Sequence, residues 1–176
     1  MSMTKIEHIE VGSGGAASIE FVSVGDIPSD YTDLLVKLSL RSTRVASDDS
    51  GLIKFNGSTS GFTYRRLYAV PSVGSSTAST GFFGLIGGTS ITANTFSSAS
   101  IYIPNYRSSV AKSYSSDSVV ENNSSTFFAD LVAGYWSTTD PITSISIYAQ
   151  NGNLVEYSSA TLYGITSGSD GTTTVS

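Results

Sequence analysis

Apolar residues recur at every second position in short runs along this chain, the period of a strand with one buried and one wet face. The pattern is clearest over residues 31–42. There Leu34, Val36, Leu38 and Leu40 point one way and Asp33, Lys37, Ser39 and Arg41 the other, with Leu35 the one apolar residue on the polar side. Ile101 and Ile103 mark a strand ending at Pro104, and Ile145 and Ile147 mark another running to Tyr148. Further runs predict strands over residues 5–11, 17–24, 52–55, 62–70, 82–86, 126–136 and 160–165, about ten strands in all.

The breaks between runs carry turn chemistry: Gly12-Ser-Gly-Gly15, Asp48-Asp-Ser-Gly51, Asn56-Gly57, Gly87-Gly88, Asn122-Asn123 and Asn151-Gly152. Asn-Gly supplies the positive φ angles that tight hairpin turns require. No stretch sustains a 3.6-residue apolar period, so at most one short helical turn is expected, near residues 29–33. Many short strands at this spacing predict an all-β fold, an antiparallel β-sandwich of jelly-roll type whose two sheets bury their apolar faces against each other. Residues 1–166 are expected to form one such domain. Residues 167–176, mostly Gly, Ser and Thr, offer little to bury and read as a flexible tail.

Composition sharpens this picture. Only 13% of residues are charged, and the polar surface comes from Ser and Thr, roughly three residues in ten. Such a chain could be disordered, but 10 Tyr, 8 Phe and many Ile, Leu and Val supply the core that disordered segments lack. Cysteine is absent, which excludes disulfides and thiolate metal sites and leaves the redox compartment open. No apolar run reaches the ~18 residues of a membrane span, and the N-terminus lacks the apolar core of a signal peptide, so a soluble chain made in a cytoplasm is expected, with no membrane partner. The net charge of −5 argues against nucleic acid as a partner, because backbone-tracking surfaces cluster Lys and Arg. The charge is split: residues 1–112 hold nine basic and eight acidic side chains, whereas residues 113–176 hold six acidic and none basic.

Four pieces carry a resemblance. They are Ser18-Ile-Glu-Phe21 leading to Tyr31-Thr-Asp-Leu-Leu-Val-Lys-Leu-Ser-Leu-Arg-Ser42; Phe55-Asn-Gly57; Ile101-Tyr-Ile-Pro-Asn-Tyr106; and residues 142–148 followed by Ala160-Thr-Leu-Tyr-Gly-Ile165. Together they resemble virion proteins of tailed phages, notably those of marine and cyanobacterial hosts: capsid decoration (cement) proteins and related fibre-like proteins. The resemblance implies a jelly-roll-like sandwich, often assembled in threes, and brings no active site with it. It implies a virion surface protein bound to the major capsid protein. A carbohydrate- or receptor-binding module of a tail fibre, meeting a host-surface glycan, is the alternative, since fold does not settle function.

Candidate chemistry is sparse. His8, the only histidine, lies in a polar N-terminal strand and reads as solvated rather than as part of a nucleophile–histidine–acid set. Asp130, with Asp117 or Glu121, could form the carboxylate pair of a glycoside hydrolase; alternation puts Asp130 on the face of Phe128 and Val132, and an edge or interface carboxylate is the plainer reading. Asp48-Asp49-Ser50-Gly51 lacks the alternating acids of a calcium loop and reads as a hairpin loop. Gly12-Ser-Gly14-Gly15 has no following Lys-Ser/Thr, so it is no phosphate cradle. Asn56-Gly-Ser58, Asn122-Asn-Ser124 and Asn123-Ser-Ser125 match the glycosylation triplet, as a Ser-rich chain does by chance. Tyr64, Tyr68, Tyr102, Tyr106, Tyr114, Tyr135, Trp136, Tyr148 and Tyr157 could include rings that stack on sugars or anchor interfaces, with a core role the plainer reading for each. Arg41, Arg44, Arg65, Arg66 and Arg107 suit carboxylate partners; surface solvation is the plainer reading, but with the charge split they suggest complementary faces between copies or with an acidic capsid surface. No catalytic, cofactor or metal set is assigned, and the expectation is a non-enzymatic binding protein.

Overall fold

The computed structural model describes residues 2–21, 27–70, 72–78, 80–122 and 127–166; the expected tail at 167–176 and residues 22–24 of the expected second strand lie outside them. Twelve strands are present among the described residues and no helix: β1 (Ser2–Glu10), β2 (Ser18–Phe21), β3 (Asp33–Leu40), β4 (Asp48–Phe55), β5 (Phe62–Val70), β6 (Ser72–Ala78), β7 (Phe82–Gly87), β8 (Ser97–Ile103), β9 (Lys112–Val120), β10 (Phe128–Trp136), β11 (Ile145–Ala149) and β12 (Ser159–Thr166). The helical turn expected near residues 29–33 is a simple turn running into β3. Asn56 and Gly57 take the left-handed backbone their turn demands, with φ of 52° and 72°.

One sheet has eight strands in the order β1-β12-β3-β8-β9-β10-β5-β6, the other four in the order β2-β11-β4-β7, and every pairing within them is antiparallel. Consecutive strands β5–β6 and β9–β10 form hairpins within the larger sheet. Without these two hairpins, the first, last, third and sixth of the remaining strands form one sheet and the second, seventh, fourth and fifth the other. That order is a jelly roll, two interleaved Greek keys. The hairpins are insertions that extend one sheet.

The core lies between the sheets. Leu34, Val36, Leu38 and Leu40 all face inward on β3, as their alternation predicts, and meet Ile101 and Ile103 of β8 and Leu162 of β12. Near the inserted hairpins the core is aromatic: Phe55, Phe62, Tyr114 and Trp136 pack with ring centroids 5.4 to 6.5 Å apart.

β7 presents an unusual problem. It is the end strand of the small sheet, yet all six of its residues are buried, because it packs beneath β8, β9 and β10. An unpaired strand edge in a core leaves backbone groups without water or a partner. Side chains from the facing sheet supply the bonds. Tyr114 Oη donates to the Phe82 carbonyl (2.9 Å), Ser116 Oγ to the Phe83 carbonyl (2.6 Å), and Leu85 N donates to Asp130 Oδ2 (2.9 Å). Past the end of β3, Ser42 N donates to the Gly87 carbonyl (2.8 Å). Gly84 makes this approach possible: at φ 147° a Cβ there would lie 2.1 Å from Ser118 Oγ.

β6 and β9 are the strands that the hydrophobic pattern did not predict. In β9 the inward face reads Lys112, Tyr114, Ser116, Ser118 and Val120, all buried, so its alternation is of burial and not of hydropathy.

Burial holds the Tyr114 phenol well above its ordinary value, and Tyr106 and Tyr148 are raised for the same leading reason. A phenol kept neutral by the fold contributes stability that is complete below the unfolded-chain value of about 10 and is lost as pH rises from there toward the folded value. The fold should therefore weaken as pH climbs past about 10. Tyr114→Phe should cost about 1–3 kcal/mol at neutral pH, by leaving the Phe82 carbonyl unpaired, and should flatten the alkaline decline. Urea midpoints of both proteins at neutral and alkaline pH measure this; parallel declines would show that Tyr114 does not contribute.

Candidate functional site

β10 lies between β9 and β5, so every second residue of these three strands faces away from the core. The registers align those residues in rows: Val119, Ala129 and Ala69; then Asp117, Leu131 and Leu67; then Ser115, Ala133 and Arg65; then Ser113, Tyr135 and Thr63. Leu131 and Leu67 form a ridge, 59% and 50% exposed, flanked by rows whose β10 members are alanines. Shallow grooves of about 300 and 430 Å³ run on either side of it. Val119, Tyr135, Tyr102 of β8 and Phe127, just before β10, are also exposed. An apolar patch of this kind is expensive to leave in water and marks a contact surface in most soluble proteins. Charge frames it, with Asp117 on one flank and Arg65 on the other. Beside it, the Tyr102 hydroxyl donates to Asp33 Oδ2 (2.8 Å), a bond that raises the phenol above its usual value.

Asp130 belongs to the opposite side of the sheet. It faces inward with Phe128 and Val132, as alternation predicts, but it is neither at an edge nor at an interface: β10 is paired on both sides and the carboxylate is buried. It accepts the Leu85 backbone bond, a 3.3 Å bond from Ser118 Oγ, and an ion pair from Arg66 Nε. The Arg66 guanidinium also lies over the rings of Tyr68 (4.3 Å) and Phe82 (5.1 Å). Asp117 points outward, so these two carboxylates lie on opposite faces and share no cleft, and Glu121 stands exposed beyond the end of β9.

The other sequence candidates are scattered. His8 is exposed on β1 with Nδ1 2.8 Å from Thr161 Oγ1. Asp48-Asp49-Ser50-Gly51 is not a hairpin loop: it opens β4, which begins four residues earlier than its apolar run. The reason is the fully buried Asp49 carboxylate, which staples the strand start by accepting bonds from Ser42 Oγ (2.8 Å), Ser50 N (2.9 Å) and Asn151 Nδ2 (2.9 Å). The Asn56 amide is already engaged, donating to Pro141 O and accepting from Thr143 N, both at 2.8 Å. The other two glycosylation triplets run into residues outside the described ones. Gly12-Ser-Gly-Gly15 is a turn closed by Gly15 N donating to Gly12 O. Among the described residues no group of three or more His, Asp or Glu side chains comes together as a metal site requires.

The basic residues do not form one exposed set. Arg65 and Arg107 are exposed, Arg44 reaches Asp48 and Asp49, Arg66 serves Asp130, and Arg41 is buried. Lys112 is buried too, with Nζ donating to the Val110, Thr139 and Asp140 carbonyls; desolvation lowers its pKa, and the Asp140 charge pulls the other way. Part of the charge split is thus relieved within one chain, through Arg66–Asp130. Of the aromatics, Tyr106, Tyr114 and Trp136 are core, Tyr64, Tyr68 and Tyr148 are half-buried, and Tyr102, Tyr135 and Tyr157 are exposed.

Sequence reasoning passed over Leu67 and Leu131. The signal for Leu131 lay in Phe127-Phe-Ala-Asp-Leu-Val-Ala-Gly-Tyr-Trp136, which is apolar in both phases of the alternation and so predicts a strand with two covered faces.

Removing Asp130 strands the Leu85 amide and the Arg66 guanidinium in the core. Asp130→Ala should cost about 3–5 kcal/mol, whereas Asp117→Ala on the outer face should stay within about 0.5 kcal/mol. Equal losses in urea unfolding would refute the buried role.

A scan of protein-family models finds no match to this chain, and neither does a search of the curated proteins.

Proposed function

We propose that the chain is a structural protein of a phage virion, a capsid decoration subunit that binds its own copies and the assembled shell rather than transforming a substrate. The observation that carries the binding role is the outer face of β8, β9, β10 and β5, where Tyr102, Val119, Leu131, Tyr135 and Leu67 stand exposed on one side of the larger sheet, with Phe127 exposed just before β10. The virion setting rests on the resemblance of the four sequence pieces. Sibling copies suit the face, because each would bring both a Leu67–Leu131 ridge and the grooves beside it, and Asp117 and Arg65 give each copy both charges. Exposed aromatic and leucine side chains over small residues are the material of interface cores. A subunit that binds only the assembled shell stabilises it by mass action.

Leu131→Glu should leave the β-sheet circular-dichroism spectrum intact, since Leu131 makes no part of the core, while reducing the mass in light scattering from that of three chains to that of one. Raising salt should slow assembly of the parent protein without abolishing it, because the flanking charges guide encounter and the apolar ridge holds the contact. A parent protein that is monomeric at high concentration and does not bind empty capsids would overturn the proposal. Binding to host cells instead of capsids would move the chain to a fibre tip.

A further inference from the structure

Arg41, immediately after β3, is buried, and no carboxylate lies within ion-pair distance of it among the described residues. Its guanidinium is committed to backbone: Nη1 donates to the Thr92 and Thr95 carbonyls (2.7 and 3.1 Å) and Nη2 to those of Thr89 and Ile91 (both 3.4 Å). Its own backbone holds a second loop, since the Arg41 carbonyl accepts from Val155 N (3.0 Å) and Ser158 Oγ (3.2 Å). One side chain and its peptide group therefore fix two loops, residues 88–96 and 153–158, relative to each other. Between them lies a cleft of about 280 Å³, with Asn94 and Phe96 on one wall, Glu156 and Tyr157 on the other, and Arg41 in the lining.

Tyr157 is the informative residue. It has φ of 68°, a conformation that bulky side chains rarely adopt, and the residue is 63% exposed. Tyr157 N donating to Val11 O (2.9 Å) and Ser158 N donating to Val155 O (3.1 Å) hold the backbone there. Asn94, across the cleft, is also left-handed, at φ 60°. A ring that stands largely in water on an unfavourable backbone contributes little to the fold, and strain of this sort gathers at ligand sites.

We infer that this cleft is a binding site for one neutral sugar ring. Tyr157 offers an aromatic face for the C–H face of a pyranose, the Glu156 carboxylate accepts from sugar hydroxyls, and the Asn94 amide can both donate and accept. Glu156 disfavours an acidic sugar, and Arg41 has spent its terminal donors on carbonyls. The volume lies at the small end of ligand pockets, which begin near about 300 Å³, and suits a single ring better than a stretch of polymer. Walls fixed in advance by Arg41 remove part of the ordering cost that weakens loop-built sites. The site shares no residue with the outer sheet face and stands whether or not the chain decorates a capsid.

Saturation-transfer NMR on the full chain, with galactose, glucose, mannose, N-acetylglucosamine and glucuronic acid as probes, tests the site. At least one neutral sugar should receive saturation and glucuronic acid should not. Tyr157→Gly should weaken that binding about tenfold or more without lowering the thermal midpoint, because glycine accepts the backbone angle. Glu156→Gln, at a half-buried position of the cleft wall, should weaken it while leaving the fold intact. Transfer to none of the neutral sugars, a preference for glucuronic acid, or binding unchanged in both variants would overturn the inference.

Discussion

The backbone of β7 has to be hydrogen-bonded on a side where no strand lies, and much of the surrounding structure answers that requirement. A jelly roll leaves the end strands of its sheets open, and here one of those ends is buried under the extension of the other sheet. Tyr114, Ser116 and Asp130 act as a substitute strand, each meeting one backbone group of β7. Their spacing on β9 and β10 follows from the pleat, since only every second residue reaches inward. Once Asp130 is present, its charge needs an answer in a medium that solvates charge poorly, and Arg66 supplies it from the neighbouring strand, its guanidinium lying over two rings.

The two inserted hairpins therefore serve two faces. Inward they complete the small sheet's open edge, and outward they display the ridge of Leu67 and Leu131. On β9 the inward set is Tyr114, Ser116 and Ser118 between Lys112 and Val120, whereas β10 turns Phe128, Val132 and Trp136 inward beside Asp130 and still carries Leu131 and Tyr135 on its outer face. β3 keeps the ordinary order, with Leu34, Val36, Leu38 and Leu40 inside.

Strands with an apolar inner face were legible in the sequence. The alternation of Leu34 to Leu40 gave the inward set of β3 without exception, and the turn at Asn56-Gly57 followed from its residues alone. β9 was not legible, because Ser116 faces inward to bond the Phe83 carbonyl of the other sheet and Ser118 to bond Asp130 of the neighbouring strand, and local pattern holds no record of either. The start of β4 was hidden in the same way: Asp48-Asp-Ser-Gly has turn composition, and only Asn151 and Ser42, distant in sequence or bent back, make Asp49 a core residue. Asp130 illustrates the limit. Alternation gave its face correctly, but the partner that makes it structural, the Leu85 amide, is unreachable by periodicity. For the surface sites, the doubly apolar run before Trp136 held the signal for Leu131, whereas the left-handed backbone of Tyr157 has no counterpart in residue type.

Order of synthesis matters to a strand secured this way. Phe82-Phe-Gly-Leu-Ile-Gly87 is uncharged and free of proline, the composition of segments that recruit further strands when their edges are bare. It leaves the ribosome before β9 and β10 have been made, so for that interval the Phe82, Phe83 and Leu85 backbone groups of its open side lack their eventual partners. The exposure ends only when the second hairpin docks. The same three polar side chains that complete the native core thus also close a window for misassembly, and a chain truncated after β8 would keep that window open for good.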